Sequence, residues 1–214
     1  MIIDHNAPLY RLRWERSAEN RYNGAYYYSV EIVQNIIPLV RTDRHWATIN
    51  SPGECLEHSI FFVHNNLNPR AYDWLSEIDD LVLVCGVPST CEKVAHLGHA
   101  VHLPLSVDVA YVEGFKAPKD KGTAYVGRAS KRKGREFDGA DIIEGLPRDE
   151  LLAEMARYER VYAVGRTAIE ARILGCEILP YDDRFPDPSV WQVVDNREAA
   201  AMLQTILDDH DGVR

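Results

Sequence analysis

Nowhere in the 214 residues does an apolar run approach the roughly 18 positions needed to cross a bilayer as a helix, so no membrane span is expected. Cysteine is scarce. Cys55, Cys85, Cys91 and Cys176 are scattered with no CxxC pair, which argues against a disulfide framework or a thiolate zinc knuckle. Positive charge is the minority, 24 Lys and Arg against 33 Asp and Glu for a formal charge of −9, so non-specific binding to nucleic acid or to an anionic membrane is not expected. The opening Met1-Ile-Ile-Asp4-His-Asn has no basic segment and no long apolar stretch, so no signal peptide is expected and a cytoplasmic location is. Low-complexity tracts and internal repeats are also missing. What remains is an ordinary globular composition, 46% hydrophobic and 27% charged, enough for a buried core in one large domain or two small ones.

Periodicity divides the chain into two successive α/β blocks. In the first, apolar residues at helical spacing over Tyr26 to Val40 predict a helix that Pro38 kinks or ends. Trp46 to Ile49 and Ser59 to Val63 read as strands, Arg70 to Ile78 as a helix, Asp80 to Cys85 as a buried strand, Ser89 to Leu97 as a helix and Ala100 to Leu103 as a strand. Ser106 to Gly122, with Gly114, Pro118 and a charged run, reads as a linker. The second block gives strands at Thr123 to Val126, Ala140 to Ile143, Val161 to Val164, Glu177 to Pro180 and Val190 to Val194. Its helices are expected over Pro147 to Arg157, Thr167 to Leu174 and Arg197 to Leu207. The fold class expected is α/β, with two small Rossmann-like lobes, 1–106 and 107–214, mainly parallel sheets and a cleft between them.

The most informative segment is Val161-Tyr-Ala-Val-Gly165-Arg-Thr-Ala-Ile-Glu170, which reads as a strand, a glycine turn and a helix. Gly165 lets a ligand approach the backbone, the helix opening at Thr167 aims N–H groups and a positive dipole end at an anion, and Arg166 adds a charge. Thr167 is expected to cap the helix, and Glu170 lies where a carboxylate would meet sugar hydroxyls. Any α/β crossover also needs a turn and a capped helix, so a purely structural reading stays open. A second glycine turn follows another strand at Tyr125-Val-Gly127-Arg128-Ala-Ser-Lys131-Arg132-Lys133-Gly134, with a knot of cations unusual in so acidic a chain. Alone it also fits a solvated basic loop; beside the Gly165 turn, the two fit one diphosphate.

Val126-Gly-Arg128 with Lys133-Gly134, then Leu146-Pro-Arg-Asp-Glu-Leu-Leu152, then Gly165-Arg-Thr-Ala-Ile-Glu170-Ala and Gly175, resembles the carboxyl-terminal domain of GT-B glycosyltransferases, of the glycosyltransferase family 4 type. The resemblance implies that Arg128 and Lys133 hold the diphosphate of a nucleotide-sugar donor, with Gly127, Gly165, Arg166 and Thr167 around it, and that Glu170 binds the ribose. Upstream, Asn23-Gly24-Ala25 resembles the glycine loop that opens such enzymes, so Gly24 joins the donor side. Phe62-Val-His64-Asn resembles the histidine-bearing strand end near the acceptor, and Leu103 to Asp108 the hinge strand. Two departures stand out: Tyr162 holds a position where many members carry a further acidic residue, and the chain is short for a two-domain member. The implied reaction is a metal-independent sugar transfer to an unknown acceptor, with no cofactor beyond the donor. A non-catalytic nucleotide or sugar-phosphate binder on the same scaffold, or a sugar-nucleotide epimerase, remains open.

The weaker features carry competing readings. His64 is a base, an acceptor ligand or a satisfied histidine. Tyr26-Tyr27-Tyr28 either stack on a ligand or cover the core. His96, His99 and His102 have metal-ligand spacing, but Gly98 breaks the helix between them, so no metal site is expected there. Asp182-Asp183 reads as an ordinary turn.

Overall fold

The computed structural model describes residues 31–48, 57–63, 69–127, 137, 139–180 and 185–212. Gly24, the Tyr26 to Tyr28 run, His64, Arg128, Lys133 and Asp182-Asp183 lie outside the described residues. The fold is α/β, with two four-stranded sheets in which every described pairing is parallel. Among the described residues no helix is long and apolar enough to cross a membrane.

The first unit is built from the described residues up to Leu105 together with those from Asn196 onward. Its sheet has the order β1 (His45–Thr48), β2 (Ser59–Val63), β3 (Leu81–Cys85), β4 (His99–His102). Helices α1 (Pro69–Leu75) and α2 (Pro88–Val94) make the crossovers. Every residue of β2 and of β3 is buried, as expected of central strands covered on both faces. Trp46, Phe61, Phe62 and Leu83 are among the largest fully buried side chains, and each stabilises the unit by roughly 1.5–3 kcal/mol.

Where a continuous helix is expected up to Val40, the described part is a π-helical turn (Ile32–Ile36) followed by a 3₁₀ turn (Ile37–Leu39). Pro38 accounts for the ending, because it has no N–H to continue the ladder. Against this segment packs α6 (Asn196–Gly212), which buries Asn196, Ala199, Ala200, Leu203 and Leu207 at helical spacing. The Gln204 amide fixes the helix sideways, donating to Arg41 O at 3.1 Å and accepting from Arg41 N at 2.6 Å.

The amino edge of the first sheet holds a charged knot. Arg44, fully buried, donates from Nη2 to Asp80 Oδ1 (2.9 Å) and to Asp211 Oδ1 (2.6 Å), and from Nη1 to Asp80 O (3.2 Å). His58 bonds through Nδ1 to Asp80 Oδ2 (2.6 Å) and through Nε2 to Asp43 Oδ1 (2.9 Å), donating both when the ring is protonated. His210, on α6, stacks on His99 with ring centroids 4.5 Å apart and lies 3.5 Å from Asp80. His58 and Asp80 both have positive φ, 59° and 55°, immediately before β2 and β3. Such backbone is tolerated best by short polar residues, and here the side-chain bonds offset its cost.

The second unit spans Ser106 to Asp195 within the described residues. Its sheet has the order β6 (Asp141–Ile143), β5 (Lys121–Val126), β7 (Tyr158–Tyr162), β8 (Glu177–Leu179). Helix α4 (Arg148–Met155) links β6 to β7, and α5 (Arg166–Ile173) links β7 to β8. The expected linker is instead structured: α3 (Val109–Glu113) is capped by the Asp108 carboxylate accepting from Tyr111 N at 2.9 Å, and β5 begins at Lys121. The Asp108 cap was the missed signal. The expected strand over Val190 to Val194 is corrected to a 3₁₀ turn (Pro188–Val190), set by Pro188 and by Asp187 accepting from Ser189 N. Only an isolated parallel bridge, Val107 to Asp195, remains near it. β7 also starts and ends earlier than its apolar run suggests, because Glu159 and Arg160 face solvent within the strand.

One ammonium holds the far ends of both crossover helices. Lys119 Nζ donates to Ala156 O (2.7 Å) after α4, to Leu174 O (2.8 Å) after α5 and to Cys176 Sγ (3.3 Å). Gly175, φ 80°, completes the α5 terminus, with its N–H on Arg172 O and that of Cys176 on Ala171 O, the pattern that ends a helix in a left-handed residue.

Two measurements check these contacts. Lys119→Met removes a charged donor from two helix-terminal carbonyls and should cost about 2 kcal/mol in urea unfolding; a loss below about 0.5 kcal/mol would refute the double cap. The amino-edge knot sets a pH dependence. The Asp80 bond first, then that of Asp43, raises the His58 pKa, so its contribution is complete below the unfolded value of about 6.5 and is lost as pH rises through the folded one. Loss of water around the His99 ring, helped by His210 and Arg44, lowers its pKa, so its contribution is lost as pH falls below about 6.5. Stability should therefore peak near about pH 6.5. His58→Asn should flatten the alkaline limb alone, and an unchanged alkaline slope would remove the knot as its cause.

Candidate functional site

The second sheet has a switch point. From β5 the chain goes to β6 on one side, and α4 then carries it back across β5 to β7 on the other. Connections leaving in opposite directions make a topological switch point at the carboxyl ends of β5 and β7, the place where ligands generally sit in open parallel sheets. β5 and β7 are neighbours, with Ala124 beside Val161 and Tyr125 beside Tyr162. Gly127 directly after β5 and the segment from Ala163 to Gly165 after β7 therefore leave the sheet at the same edge.

A glycine follows each of the two strands. Gly127 follows β5, and a Cβ there would come within 2.9 Å of the Tyr125 hydroxyl. Its N–H donates to Ile143 O at 3.2 Å, extending the pairing with β6. Gly165 stands at the N-cap of α5 with φ 63° and ψ −140°, a backbone that side-chain-bearing residues rarely adopt. Its carbonyl accepts from Ala168 N (3.0 Å) and Ile169 N (3.3 Å), so the helix begins directly after it. Thr167 was expected to cap α5, but Gly165 occupies that position, Arg166 is the first helical residue and no side chain caps the turn. An α-helix leaves its first N–H groups without intrahelical acceptors, and these carry the positive end of the dipole.

The side chains behind this turn are tightly engaged. Glu170, one turn into α5, is 3% exposed, and its Oε1 accepts from Arg166 Nε at 2.7 Å and pairs with Arg148 Nη1 at 2.7 Å. Arg148 is the first residue of α4, so the carboxylate ties the first turns of two helices together. Its guanidinium also lies over the Tyr111 ring, 5.5 Å from the centroid, and the Tyr111 hydroxyl bonds Asp149. Burial, with the Asp149 bond behind it, pushes the Tyr111 phenol up to about 12. On the sheet, Phe137 packs between Tyr125 and Tyr162, each 4.6 Å away by ring centroids.

Of the residues singled out from the sequence, the structure brings together Gly127, Gly165, Arg166, Thr167 and Glu170 at one edge of the second sheet. Arg128 follows Gly127 directly in the chain, and it, Lys133, His64 and Gly24 lie outside the described residues. Arg148 was missed. The spacing of four between Arg166 and Glu170 announces their pair, whereas nothing local announces a partner 22 positions upstream of Glu170.

The histidine run is dispersed: His96 stacks on Tyr72 at 5.7 Å and His99 on His210 at 4.5 Å. Among the described residues no group of His, Cys, Asp and Glu is arranged to hold a metal ion. Cys85 and Cys176 are buried, as their apolar surroundings in the sequence suggest. Set beside known proteins, the chain matches no family model and no curated sequence.

Proposed function

We propose that the chain is a compact glycosyltransferase that moves a sugar from a nucleotide-diphosphate donor to an acceptor. The observation that carries this reading is that Gly127 and Gly165 follow the neighbouring strands β5 and β7 at the switch point of the second sheet. A phosphate group needs close backbone approach, donor N–H groups and positive charge at one place. Gly165 and the start of α5 supply the first two, and Arg128 and Lys133 follow the other turn in sequence.

The chemistry is electrostatic. As the bond from the anomeric carbon to the leaving diphosphate breaks, negative charge builds on that diphosphate. Cations and N–H groups already in place stabilise the charge without reorganising at the moment of reaction. Arg128, Lys133, Arg166 and the backbone from Gly165 to Thr167 take that task.

A second reading is favoured by one observation. Tyr162, whose ring meets Phe137, stands where the resembled family often carries an acidic residue, and a binder that has lost turnover would retain only the nucleotide pocket. Incubation with nucleotide sugars alone separates the readings. A transferase hydrolyses the donor slowly, a binder leaves it intact and an epimerase changes its sugar.

Calorimetry tests the site itself. A charged contact to phosphate contributes on the order of 1.5–3 kcal/mol, so Arg128→Ala and Lys133→Ala should each weaken a nucleoside diphosphate by about tenfold or more. Gly165→Ala should do so more severely, since its φ of 63° disfavours any side chain. Unchanged affinity in the Arg128 and Lys133 variants would rule out the assignment.

A further inference from the structure

We propose that Glu170 is a positioning residue whose buried carboxylate sets the guanidiniums of Arg148 and Arg166 side by side at the switch point, where the two arginines take the ligand's diphosphate. The inference rests on the nucleotide-diphosphate reading of the site and names a different role for Glu170 from ribose recognition.

The placement comes first. Arg148 opens α4 and Arg166 opens α5, the helices that begin after the carboxyl ends of β6 and β7. Both guanidiniums therefore originate at the ligand-bearing edge, and Glu170 Oε1 meets each at 2.7 Å. Arg148 is held on a second side by the Tyr111 ring. Long, flexible arginines lose rotamer freedom when they bind, and two that are already fixed have lost it beforehand.

The chemistry of the carboxylate points the same way. Gripping two adjacent ribose hydroxyls takes both oxygens of a carboxylate, and Oε1 of Glu170 is already engaged by both guanidiniums. Buried ion pairs are poor devices for stability alone, because desolvation offsets most of their attraction, and well-packed apolar residues often serve as well. Planar guanidinium forks match phosphate oxygens in a way that a sugar hydroxyl does not.

The test is calorimetry on the full chain with uridine, guanosine and adenosine diphosphates, their 2′-deoxy forms and inorganic pyrophosphate. Glu170→Gln keeps the shape but loses the charge that holds both arginines. It should weaken the ribo form, the deoxy form and pyrophosphate by one common factor, about tenfold. Arg148→Met should do the same and Arg148→Lys should recover part of the loss, at matched thermal midpoints, which a packing role would not produce.

A loss confined to the ribo form would make Glu170 a ribose ligand and overturn the proposal, as would unaltered affinities in Arg148→Met. If Glu170→Gln does not fold, the two Arg148 variants decide. Wild-type protein that binds none of the probes would overturn the nucleotide reading as well, whereas tight wild-type binding with unaltered variants would overturn this assignment alone.

Discussion

Parallel pairing is the constraint from which the rest follows. Strands that run the same way must each be rejoined by a crossover, so in both sheets the chain leaves at one edge and returns at the other. Central strands covered on both faces become continuous apolar runs, as in Ile60 to Val63 and Leu81 to Cys85, and have no room for polar chemistry. Polar and charged groups are thereby driven to the two edges. At the carboxyl edge of the second sheet the crossover helices begin, with their unpaired N–H groups and positive dipole ends. That edge is suited to anions before any side chain is chosen.

The opposite ends need closing. Helix termini expose carbonyls, and Lys119 supplies one ammonium to the ends of α4 and α5 at once. The same two helices are thus tied at both ends, by Lys119 and the left-handed Gly175 at one and by the Arg148–Glu170 contact at the other.

Much of this was legible in the sequence, and the legible parts share a cause. Ser59 to Val63 is found at the bounds its apolar run predicts, and most other strands and helices lie within a few residues of expectation, because burial on both faces leaves a local signature. Val190 to Val194 has the same β-branched and aromatic character but follows Pro188, and local turn chemistry prevails. The Ser106 to Gly122 stretch looked like a linker because glycine, proline and charge dominate it, yet a single aspartate cap starts a helix there. At the candidate site, glycines were readable because their backbone requirement is local. Arg148 was not, because its contact with Glu170 is made by the fold.

The two charged knots close buried charge by different means. At the amino edge of the first sheet, a buried arginine faces two carboxylates, Asp80 and Asp211, and His58 bonds Asp80 as well. Histidines close that knot from within, at the cost of a pH dependence. At the carboxyl edge of the second sheet one buried carboxylate, Glu170, lies between two arginines that cannot shed their protons, so this contact does not depend on pH near neutrality as the histidine-closed knot does.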